Sequence, residues 1–248
     1  MSVLLVDIGN TRIKWACVTN GRLSRQRGAA HADWRSEDFV DKLMGAARRI
    51  DRVIVVSVAG SRLDRRLVSA ARRARGIVPQ FVASRRHLGG VTTAYSEPWR
   101  LGADRFVAAI GAHQLAPHRA VCVVDVGTAM TIDLVTARGR HVGGAIVPGP
   151  SLMAASLLHG TSGILHRSKG KPAGGRLFAR NTRSAIEEGA RYAVAAVIDR
   201  AVREARRALG APPLVLLTGG AAAAVRPLVR SAHRSVPDLV LRGLAALI

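Results

Sequence analysis

Two apolar runs in this chain end in the same order of polar residues. The run VLLVDIG closes on Asp7 and Gly9, and the run AVCVVDVG closes on Asp125 and Gly127. Four or five consecutive apolar residues that end in a carboxylate and a glycine predict a buried strand whose end is redirected by a tight turn. Because the pattern occurs twice, it predicts two half-sites in one chain.

The pattern that follows each run also repeats. Each half predicts three antiparallel strands, the first of them the apolar run, followed by helices that alternate with parallel strands. The second half includes a long helix over residues 182–209 and a last strand over residues 238–241. This repetition predicts a duplicated α/β architecture with domains at residues 1–117 and 118–248.

Length and composition favour a globular protein of the cytoplasm. The chain has 248 residues, of which 48% are hydrophobic, so it is long enough for one large or two smaller cores. Cys17 and Cys122 each lie in an apolar run, which predicts packed, reduced thiols. No stretch approaches the ~20 apolar residues of a membrane-spanning helix, and no basic leader precedes the first strand. We therefore expect neither secretion nor membrane insertion.

The formal net charge of +22 raises the question of a nucleic-acid partner. The excess is almost wholly arginine, because lysine appears only at Lys14, Lys42, Lys169 and Lys171. The arginines are scattered over several predicted helix faces, and aromatic residues make up only 4% of the chain. A platform for single-stranded nucleic acid needs aromatic side chains between its cations. Composition therefore argues against a nucleic-acid interface.

The first turn has the groups that bind phosphate. It offers backbone N–H groups at Gly9, Asn10 and Thr11 and a cation at Lys14. The carboxylate of Asp7 would repel phosphate oxygens unless a divalent cation lay between them. The turn therefore predicts Mg²⁺ and a nucleoside polyphosphate. The chain contains no GxxxxGK[ST] sequence, so this is not a P-loop, and it contains neither HExxH nor paired CxxC motifs.

A second candidate site lies in the stretch YSEPWRLGADR, residues 95–105. Asp104 precedes a predicted helix, Arg105 stands beside it, and Gly102 allows close approach to the backbone. In one interpretation Asp104 orients a substrate hydroxyl. In the other it is the N-cap of the helix. The residues alone leave both interpretations open.

Four motifs in this order, DIGNTRIK, LGADR, DVGTAMTID and GGAIVPG, make the chain resemble the type III pantothenate kinases. The resemblance covers essentially the whole chain, and LGADR with Tyr95 and Pro98 ahead of it is among its most specific parts. The family belongs to the superfamily of acetate and sugar kinases, heat-shock chaperone ATPases and actin. The fold it implies is a pair of ribonuclease H-like (actin-like ATPase) domains, each a mixed sheet that opens with three antiparallel strands and is flanked by helices.

The resemblance implies that ATP phosphorylates the 4′-hydroxyl of pantothenate, the first step of coenzyme A biosynthesis, with Asp104 as general base. It implies a homodimer in which Thr182 reaches the pocket from the partner subunit, a monovalent cation (K⁺ or NH₄⁺) at Asp125, and Mg²⁺ held by Asp7 through water. The nucleotide-binding residues it implies are Asp7, Ile8, Gly9, Asn10, Thr11, Arg12, Ile13, Lys14 and Thr128. The pantothenate-binding residues are Tyr95, Gly102, Ala103, Asp104, Arg105 and Thr182.

The loop over residues 161–180 departs from the family pattern. It is more basic than the family leads us to expect, with Arg167, Lys169 and Lys171, and Leu165-His166 stands where Leu-Pro is common. Two other functions compete with the kinase. One is another kinase of the superfamily, acting on a sugar or acetate. The second is a nucleotide-binding regulatory protein that binds nucleic acid through its basic surface.

Overall fold

The computed structural model describes residues 1–160 and 175–248. The sequence features at Leu165-His166, Arg167, Lys169 and Lys171 lie outside the described residues. Within them, contacts divide the chain into two compact units. Unit 1 comprises Met1–Pro117, Gly139–His141 and Asp238–Ile248, and unit 2 comprises His118–Arg138 and Val142–Pro237. The predicted ranges 1–117 and 118–248 differ from these units at the two segments that return to unit 1.

The elements follow the predicted order, with strands in both halves. The strands are β1 (Ser2–Ile8), β2 (Arg12–Thr19), β3 (Arg22–Leu23), β4 (Arg27–Ala30), β5 (Arg52–Ser57), β6 (Gln80–Phe81), β7 (His87–Leu88), β8 (Val91–Thr92), β9 (Val121–Val126), β10 (Ala129–Val135), β11 (His141–Pro148), β12 (Leu214–Thr218) and β13 (His233–Ser235). The α-helices are α1 (Ser36–Phe39), α2 (Ser61–Arg75), α3 (Ala103–Leu115), α4 (Pro150–Gly160), α5 (Thr182–Leu209), α6 (Ala222–Val225) and α7 (Leu239–Ala245). A π-helix covers Val40–Met44, and 3₁₀ turns cover Pro98–Arg100 and Arg226–Leu228.

The two large sheets have the same strand order. In unit 1 the order is β3-β2-β1-β5-β6, with β4 also paired to β2, and in unit 2 it is β11-β10-β9-β12-β13. In each sheet the central strand pairs antiparallel with the next strand in sequence and parallel with the strand that follows a helix. The predicted duplication of a mixed sheet is therefore present in the structure.

The first sheet begins with a fully buried strand and a tight hairpin. Every residue of β1 is buried. The turn between β2 and β3 has positive φ at both Asn20 (52°) and Gly21 (74°), as a type I′ turn requires. The predicted third strand is interrupted and forms β3 and β4, both paired antiparallel with β2. The core on this side is built around large side chains that include Trp15, Trp34 and Phe39.

The C-terminal segment differs from the sequence prediction. The predicted strand over residues 238–241 is wrong, because Leu239–Ala245 forms helix α7, which packs on α3. Glycines allow the two helices to approach closely: a Cβ atom on Gly111 would lie 2.8 Å from the backbone nitrogen of Gly243. A short run of apolar residues does not distinguish a buried strand from a buried helix, and here the packing surface of α3 decides.

Unit 2 is built around β9, β12 and the long helix α5. The predicted bounds of this helix, residues 182–209, are those observed, and Gly210 ends it with φ of 71°. After β12 the chain forms the short helix α6, which is followed by a 3₁₀ turn. Among the residues that the structure describes, no helix combines the length and the apolar character needed to cross a membrane.

Both cysteines are buried and carry free thiols. Burial raises the pKa of the Cys17 thiol, and it raises the pKa of Cys122 to about 12, with a smaller contribution from the charge of Asp133. Both thiols therefore stay protonated at neutral pH. This agrees with the prediction that they are packing residues in their apolar strands.

Candidate active site

The first turn joins two strands whose register brings an acid and a base together. In the β1–β2 ladder Asp7 lies opposite Lys14. The Lys14 Nζ atom is 3.9 Å from Asp7 Oδ2, and both side chains are largely buried. A carboxylate in such a place is a hard oxygen ligand beside a fixed positive charge. This combination suits an anionic ligand that arrives with a divalent cation.

The backbone of this turn is only partly available to a ligand. The Gly9 N–H donates to the Arg12 carbonyl oxygen at 3.0 Å, which closes the turn. The Gly9 carbonyl oxygen in turn accepts a hydrogen bond from His31 Nε2 at 2.8 Å. The Gly9 N–H, one of the three predicted phosphate-binding groups, is therefore already used within the turn. Asn10 and Thr11, which carry the other two, are exposed residues.

The fold itself does not require a glycine at position 9. Its φ lies outside the left-handed region, and a Cβ atom built there would lie 3.4 Å from the Arg12 carbonyl oxygen, an ordinary contact. Gly127 in the second turn is similar, with its nearest atom at 3.5 Å. Since neither strain nor crowding explains these glycines, close approach of a ligand to the backbone is the remaining physical reason.

Asp104 lies inside helix α3 and does not cap it. The N-cap is Gly102, so Asp104 is the second helical residue, and the capping interpretation is wrong. The Asp104 Oδ1 atom accepts a hydrogen bond from the Arg105 N–H at 2.8 Å. A Cβ atom on Gly102 would lie 2.7 Å from this oxygen, which explains why position 102 has no side chain. The first turn of a helix also stabilises a carboxylate electrostatically.

Arg105 connects this carboxylate region to the predicted substrate loop. The Arg105 side chain is 7% exposed, and its Nη1 atom donates to the Tyr95 hydroxyl at 3.3 Å. The Tyr95 ring packs against His141 with 6.0 Å between ring centroids, and its carbonyl oxygen accepts a hydrogen bond from Arg86 at 2.8 Å. Tyr95, Asp104 and Arg105 thus form one connected polar group, with Gly102 and Ala103 between them in sequence.

The second turn repeats the hairpin of the first with different neighbours. Asp125 lies opposite Thr131 in the β9–β10 ladder, and the Gly127 N–H donates to the Ala129 carbonyl oxygen at 2.9 Å. The exposed Thr128 is fixed through its backbone, because its carbonyl oxygen accepts from the Gly149 N–H at 2.8 Å. The structure thus places Asp125 and Thr128 at the same turn.

Two further glycines line this turn, and our sequence analysis did not assign them to a site. A Cβ atom on Gly219 would overlap the Asp125 carboxylate and the Val126 carbonyl oxygen, and one on Gly149 would overlap the Gly127 carbonyl oxygen. Gly219 also has φ of 100°. For Gly219 the sequence did contain a signal of a binding site. It follows β12, the parallel neighbour of β9, and ligands commonly bind at the carboxyl ends of parallel strands.

Thr182 is the first residue of α5, far in sequence from the other candidates. The helix is capped by Asn181, whose Oδ1 atom accepts a hydrogen bond from the Ser184 N–H at 2.8 Å. Thr182 is half-buried. Among the described residues of unit 2, Asn181 and Ser184 thus fix the helix terminus at which Thr182 lies.

No ready-made metal cage is found in residues 1–160 and 175–248. No group of three or more histidine, cysteine, aspartate or glutamate side chains among them is placed to hold a metal ion.

Several arginine side chains donate hydrogen bonds to backbone carbonyl oxygens, as Arg66 does to Trp34 (2.9 Å) and Arg75 does to Met44 (2.8 Å). Part of the basic composition thus has a structural use.

Comparison with known proteins identifies the family. A family model described as type III pantothenate kinase matches residues 3–204. The type III pantothenate kinase of Herminiimonas arsenicoxydans is 40% identical over 251 residues, a span that covers 98% of this chain and 95% of that protein. The chain belongs to the type III pantothenate kinase family. The resemblance drawn from the four sequence motifs is thereby confirmed.

Solved structures agree on the fold. Component A of the (R)-2-hydroxyglutaryl-CoA dehydratase of Acidaminococcus fermentans superposes with a TM-score of 0.58 at 13% identity, covering 100% of this chain and 96% of that one. A ROK family glucokinase from Streptomyces griseus gives a TM-score of 0.53 at 13% identity, covering 100% and 99%. At such identity these likenesses show the fold alone. They confirm the predicted duplicated actin-like architecture for this member of the family.

Proposed function

We propose that the protein transfers the γ-phosphoryl group of ATP to the 4′-hydroxyl of pantothenate, the first step of coenzyme A biosynthesis. Membership of the type III pantothenate kinase family over nearly the whole chain is the observation that carries the proposal. The connected group of Tyr95, Asp104 and Arg105 supports it, because it offers a carboxylate and two hydrogen-bonding side chains for a polar substrate. We also propose that the protein acts in the cytoplasm.

The first turn is proposed to hold the phosphates of ATP. The N–H groups of Asn10 and Thr11 and the ammonium group of Lys14 bind phosphate oxygens, and the backbone from Ile8 to Ile13 keeps them in place. Asp7 fits Mg²⁺ held through water, since Mg²⁺ dehydrates reluctantly and usually keeps several waters in its shell beside the phosphate oxygens. When bound, Mg²⁺ neutralises charge on the phosphate oxygens.

Asp104 is proposed as the general base. Its Oδ1 atom accepts the Arg105 N–H, which fixes the carboxylate, and in this proposal the carboxylate receives the proton of the pantothenate hydroxyl. Phosphoryl transfer through a loose transition state depends mainly on positioning and charge neutralisation, so a carboxylate of ordinary basicity suffices late in the reaction. Gly102, Ala103, Arg105 and Tyr95 line the pantothenate pocket in this proposal.

The second turn is proposed to serve the nucleotide and a monovalent cation. Thr128, which is exposed and held by Gly149, contacts the nucleotide. Asp125 supplies a carboxylate oxygen for K⁺ or NH₄⁺, and its place beside Gly219 leaves the backbone close enough to contribute as well. An oxygen donor set of this kind fits a hard monovalent cation and does not fit a soft metal.

A homodimer is proposed from the apolar surface of unit 2. Helix α4 packs on α5 and buries Pro150 and Ala154, whereas its Leu152 and Leu157 side chains are exposed. Large apolar side chains on α4, on the edge strand β11 and just before α5 are exposed: Val142, Ile146, Leu152, Leu157, Leu177 and Phe178. A second copy of the chain would cover this surface, and Thr182 would then contact the partner's pantothenate.

The reaction is tested by product formation from pantothenate with ATP, Mg²⁺ and K⁺. We expect Asp104→Asn to lose about 10²- to 10⁴-fold in kcat, as loss of a general base typically costs, with its fold intact. Asp41→Asn, which changes an exposed carboxylate of the same unit, is the matched control and keeps full activity. A parallel reaction without K⁺ tests whether the monovalent cation is required. If glucose or acetate were phosphorylated in place of pantothenate, the proposal would fail.

The dimer is tested by sedimentation. Ile146→Glu combined with Phe178→Glu places charges on the exposed apolar surface of unit 2, and we expect a shift from dimer to monomer with loss of activity. Val78→Glu, at a similarly exposed apolar position in unit 1, leaves the dimer unchanged. A wild-type protein that sediments as a monomer at all concentrations would contradict the proposed dimer.

A further inference from the structure

His31 makes the hydrogen bond that fixes the peptide between Gly9 and Asn10. It follows β4, whose pairing with β2 ends at Arg12 and Ala30, so the strand register delivers His31 to the first turn. The side chain is 7% exposed, and its Nε2 atom lies 2.8 Å from the Gly9 carbonyl oxygen. A carbonyl oxygen only accepts hydrogen bonds, so Nε2 carries the proton in this contact.

The direction of this bond determines where the next N–H group points. A trans peptide holds its C=O and N–H on opposite sides of one plane, and the chain has no cis peptide bonds. Because the Gly9 carbonyl oxygen is turned toward His31, the Asn10 N–H is turned away from it. The Gly9 N–H is already used by Arg12. His31 therefore orients the first N–H group of the turn that remains for a ligand.

His31 is itself anchored to the core of unit 1. Its carbonyl oxygen accepts the Trp34 N–H at 3.1 Å. Trp34 is 6% exposed and packs edge-on against Trp15 of β2 and Phe39 of α1. The Trp34 carbonyl oxygen is held by Arg66 of α2. A rigid connection thus leads from the core through Trp34 and His31 to the turn.

We propose that His31 is a positioning residue for the phosphate-binding turn. It does not touch the nucleotide; it holds the Gly9–Asn10 peptide in the orientation in which the Asn10 N–H donates to a phosphate oxygen. The inference rests on the proposed use of this turn for ATP. Preorganised donors bind an anion better than mobile ones, because the cost of orienting them is met during folding.

The test compares His31→Met with His31→Gln, using calorimetric titration with Mg²⁺ and the non-hydrolysable ATP analogue AMPPNP. Methionine keeps the size and removes the donor, whereas the glutamine amide places an N–H near the position of Nε2. We expect about tenfold weaker binding in His31→Met, as for one lost hydrogen bond, and recovery in His31→Gln. The KM for pantothenate stays unchanged in both, which a general loosening of the fold would not allow.

His233→Met is the matched control, because His233 Nδ1 makes a 2.8 Å hydrogen bond to the Ser231 carbonyl oxygen in unit 2. It leaves AMPPNP binding unchanged. Near-ultraviolet circular dichroism of the buried tryptophans verifies the packing of each variant. If His31→Met does not fold, His31→Asn, whose amide is too short to reach Gly9, replaces it.

Equal AMPPNP affinity in wild type and a folded His31→Met variant would overturn the proposal, as would failure of His31→Gln to recover it. A wild-type protein that does not bind AMPPNP would overturn it as well. A wild type that binds AMPPNP but does not phosphorylate pantothenate refutes the proposed function alone, and the His31 comparison is then still decided by binding.

Discussion

The two turns at the ends of β1 and β9 have the same hairpin and different surroundings. In each, an aspartate ends a buried strand, and a glycine N–H closes the turn on a carbonyl oxygen two or three residues later. Across the ladder, however, Asp7 faces Lys14, whereas Asp125 faces Thr131. The duplicated fold thus supplies one backbone geometry, and the residues placed around it distinguish the two sites.

Crowding is the second difference. The backbone of Gly219 lies directly against the Asp125 carboxylate. At the equivalent register position of unit 1, Ser57 follows Val56, the partner of Asp7, and it carries a side chain where unit 2 has Gly219. The glycines of these turns therefore have two different physical explanations. At Gly219 it is required by packing and by φ of 100°, and at Gly9 it is required by neither. The first two of the four predictions that follow test this distinction.

Gly219→Ala is expected to have the largest effect. The added methyl group overlaps backbone atoms and forces a side chain into the left-handed region, so the free energy of unfolding falls by about 3 kcal/mol or more. Urea denaturation measures the change. Gly210→Ala is the matched control, since its φ is 71° but no atom lies within 4 Å of the new Cβ; strain alone costs about 1 kcal/mol there. Equal losses in the two variants would show that crowding at Asp125 contributes nothing.

Gly9→Ala is expected to separate folding from binding. Because alanine fits the backbone and reduces the entropy of the unfolded chain, the free energy of unfolding stays the same or rises by up to about 1 kcal/mol. Binding of Mg²⁺-AMPPNP weakens by roughly 30-fold, about 2 kcal/mol, because the methyl group lies where phosphate approaches. Gly127→Ala is expected to change the free energy of unfolding and the binding of Mg²⁺-AMPPNP in the same directions. A destabilised Gly9→Ala protein would contradict the distinction between the two kinds of glycine.

Lys14→Met tests the charge difference between the turns. The KM for ATP is expected to rise about tenfold, since an ammonium group near phosphate oxygens makes a charge-assisted hydrogen bond. Thr131→Val changes the corresponding position of the second turn without changing charge, and steady-state kinetics are expected to show less than about a threefold change. If Thr131→Val were the more damaging variant, the assignment of the phosphates to the first turn would be reversed.

Asp199→Asn tests acid sensitivity in unit 2. Burial opposes the shift, but hydrogen bonds from the Ser231 hydroxyl and from the Ser231 and Arg230 N–H groups hold the pKa of Asp199 below its ordinary value. A lowered folded-state pKa contributes stability above the unfolded pKa of about 3.9, and this is lost as pH falls through the folded value. The free energy of unfolding of the wild type should therefore exceed that of Asp199→Asn by up to about 1 kcal/mol at pH 5–7.

The same measurement has a defined contradicting result. The difference in unfolding free energy between wild type and Asp199→Asn should shrink as the pH falls below about 4, the unfolded pKa, and on through the lower pKa of the folded carboxylate. A difference that stays constant down to pH 3 would mean that the charge of Asp199 contributes no stability. Asp51 of unit 1, whose pKa is lowered by the Ser2 N–H and by Arg49, offers the corresponding comparison at a half-buried position.

Where sequence reasoning succeeded, the information was local. The bounds of α5 depend on a few neighbouring residues, among them Gly210 just after its last turn, and the structure has them as predicted. The motif DIGNTRIK also located the acid and base that face each other in the first turn. These features follow from backbone preferences and from side chains close in sequence.

The failures have a common physical cause. Whether residues 238–241 form a strand or a helix depends on α3, and whether Asp104 caps a helix depends on where the Gly102 backbone begins it. The Gly9 N–H was expected to serve a phosphate, but the strand pairing of β2 uses it. The first outcome was decided by packing against a helix distant in sequence. The other two were decided by which nearby backbone groups form the hydrogen bonds of a helix start or a turn.

By itself the sequence determined the family, the duplicated fold and the chemistry available at the two turns, because motif residues and strand patterns are read along the chain. Only the tertiary structure decided that Gly219 presses against Asp125 and that His31 orients the Gly9–Asn10 peptide. Those facts depend on strand register and on packing between residues 20 or more positions apart. Local sequence patterns carry no record of such contacts, which form only when the core closes.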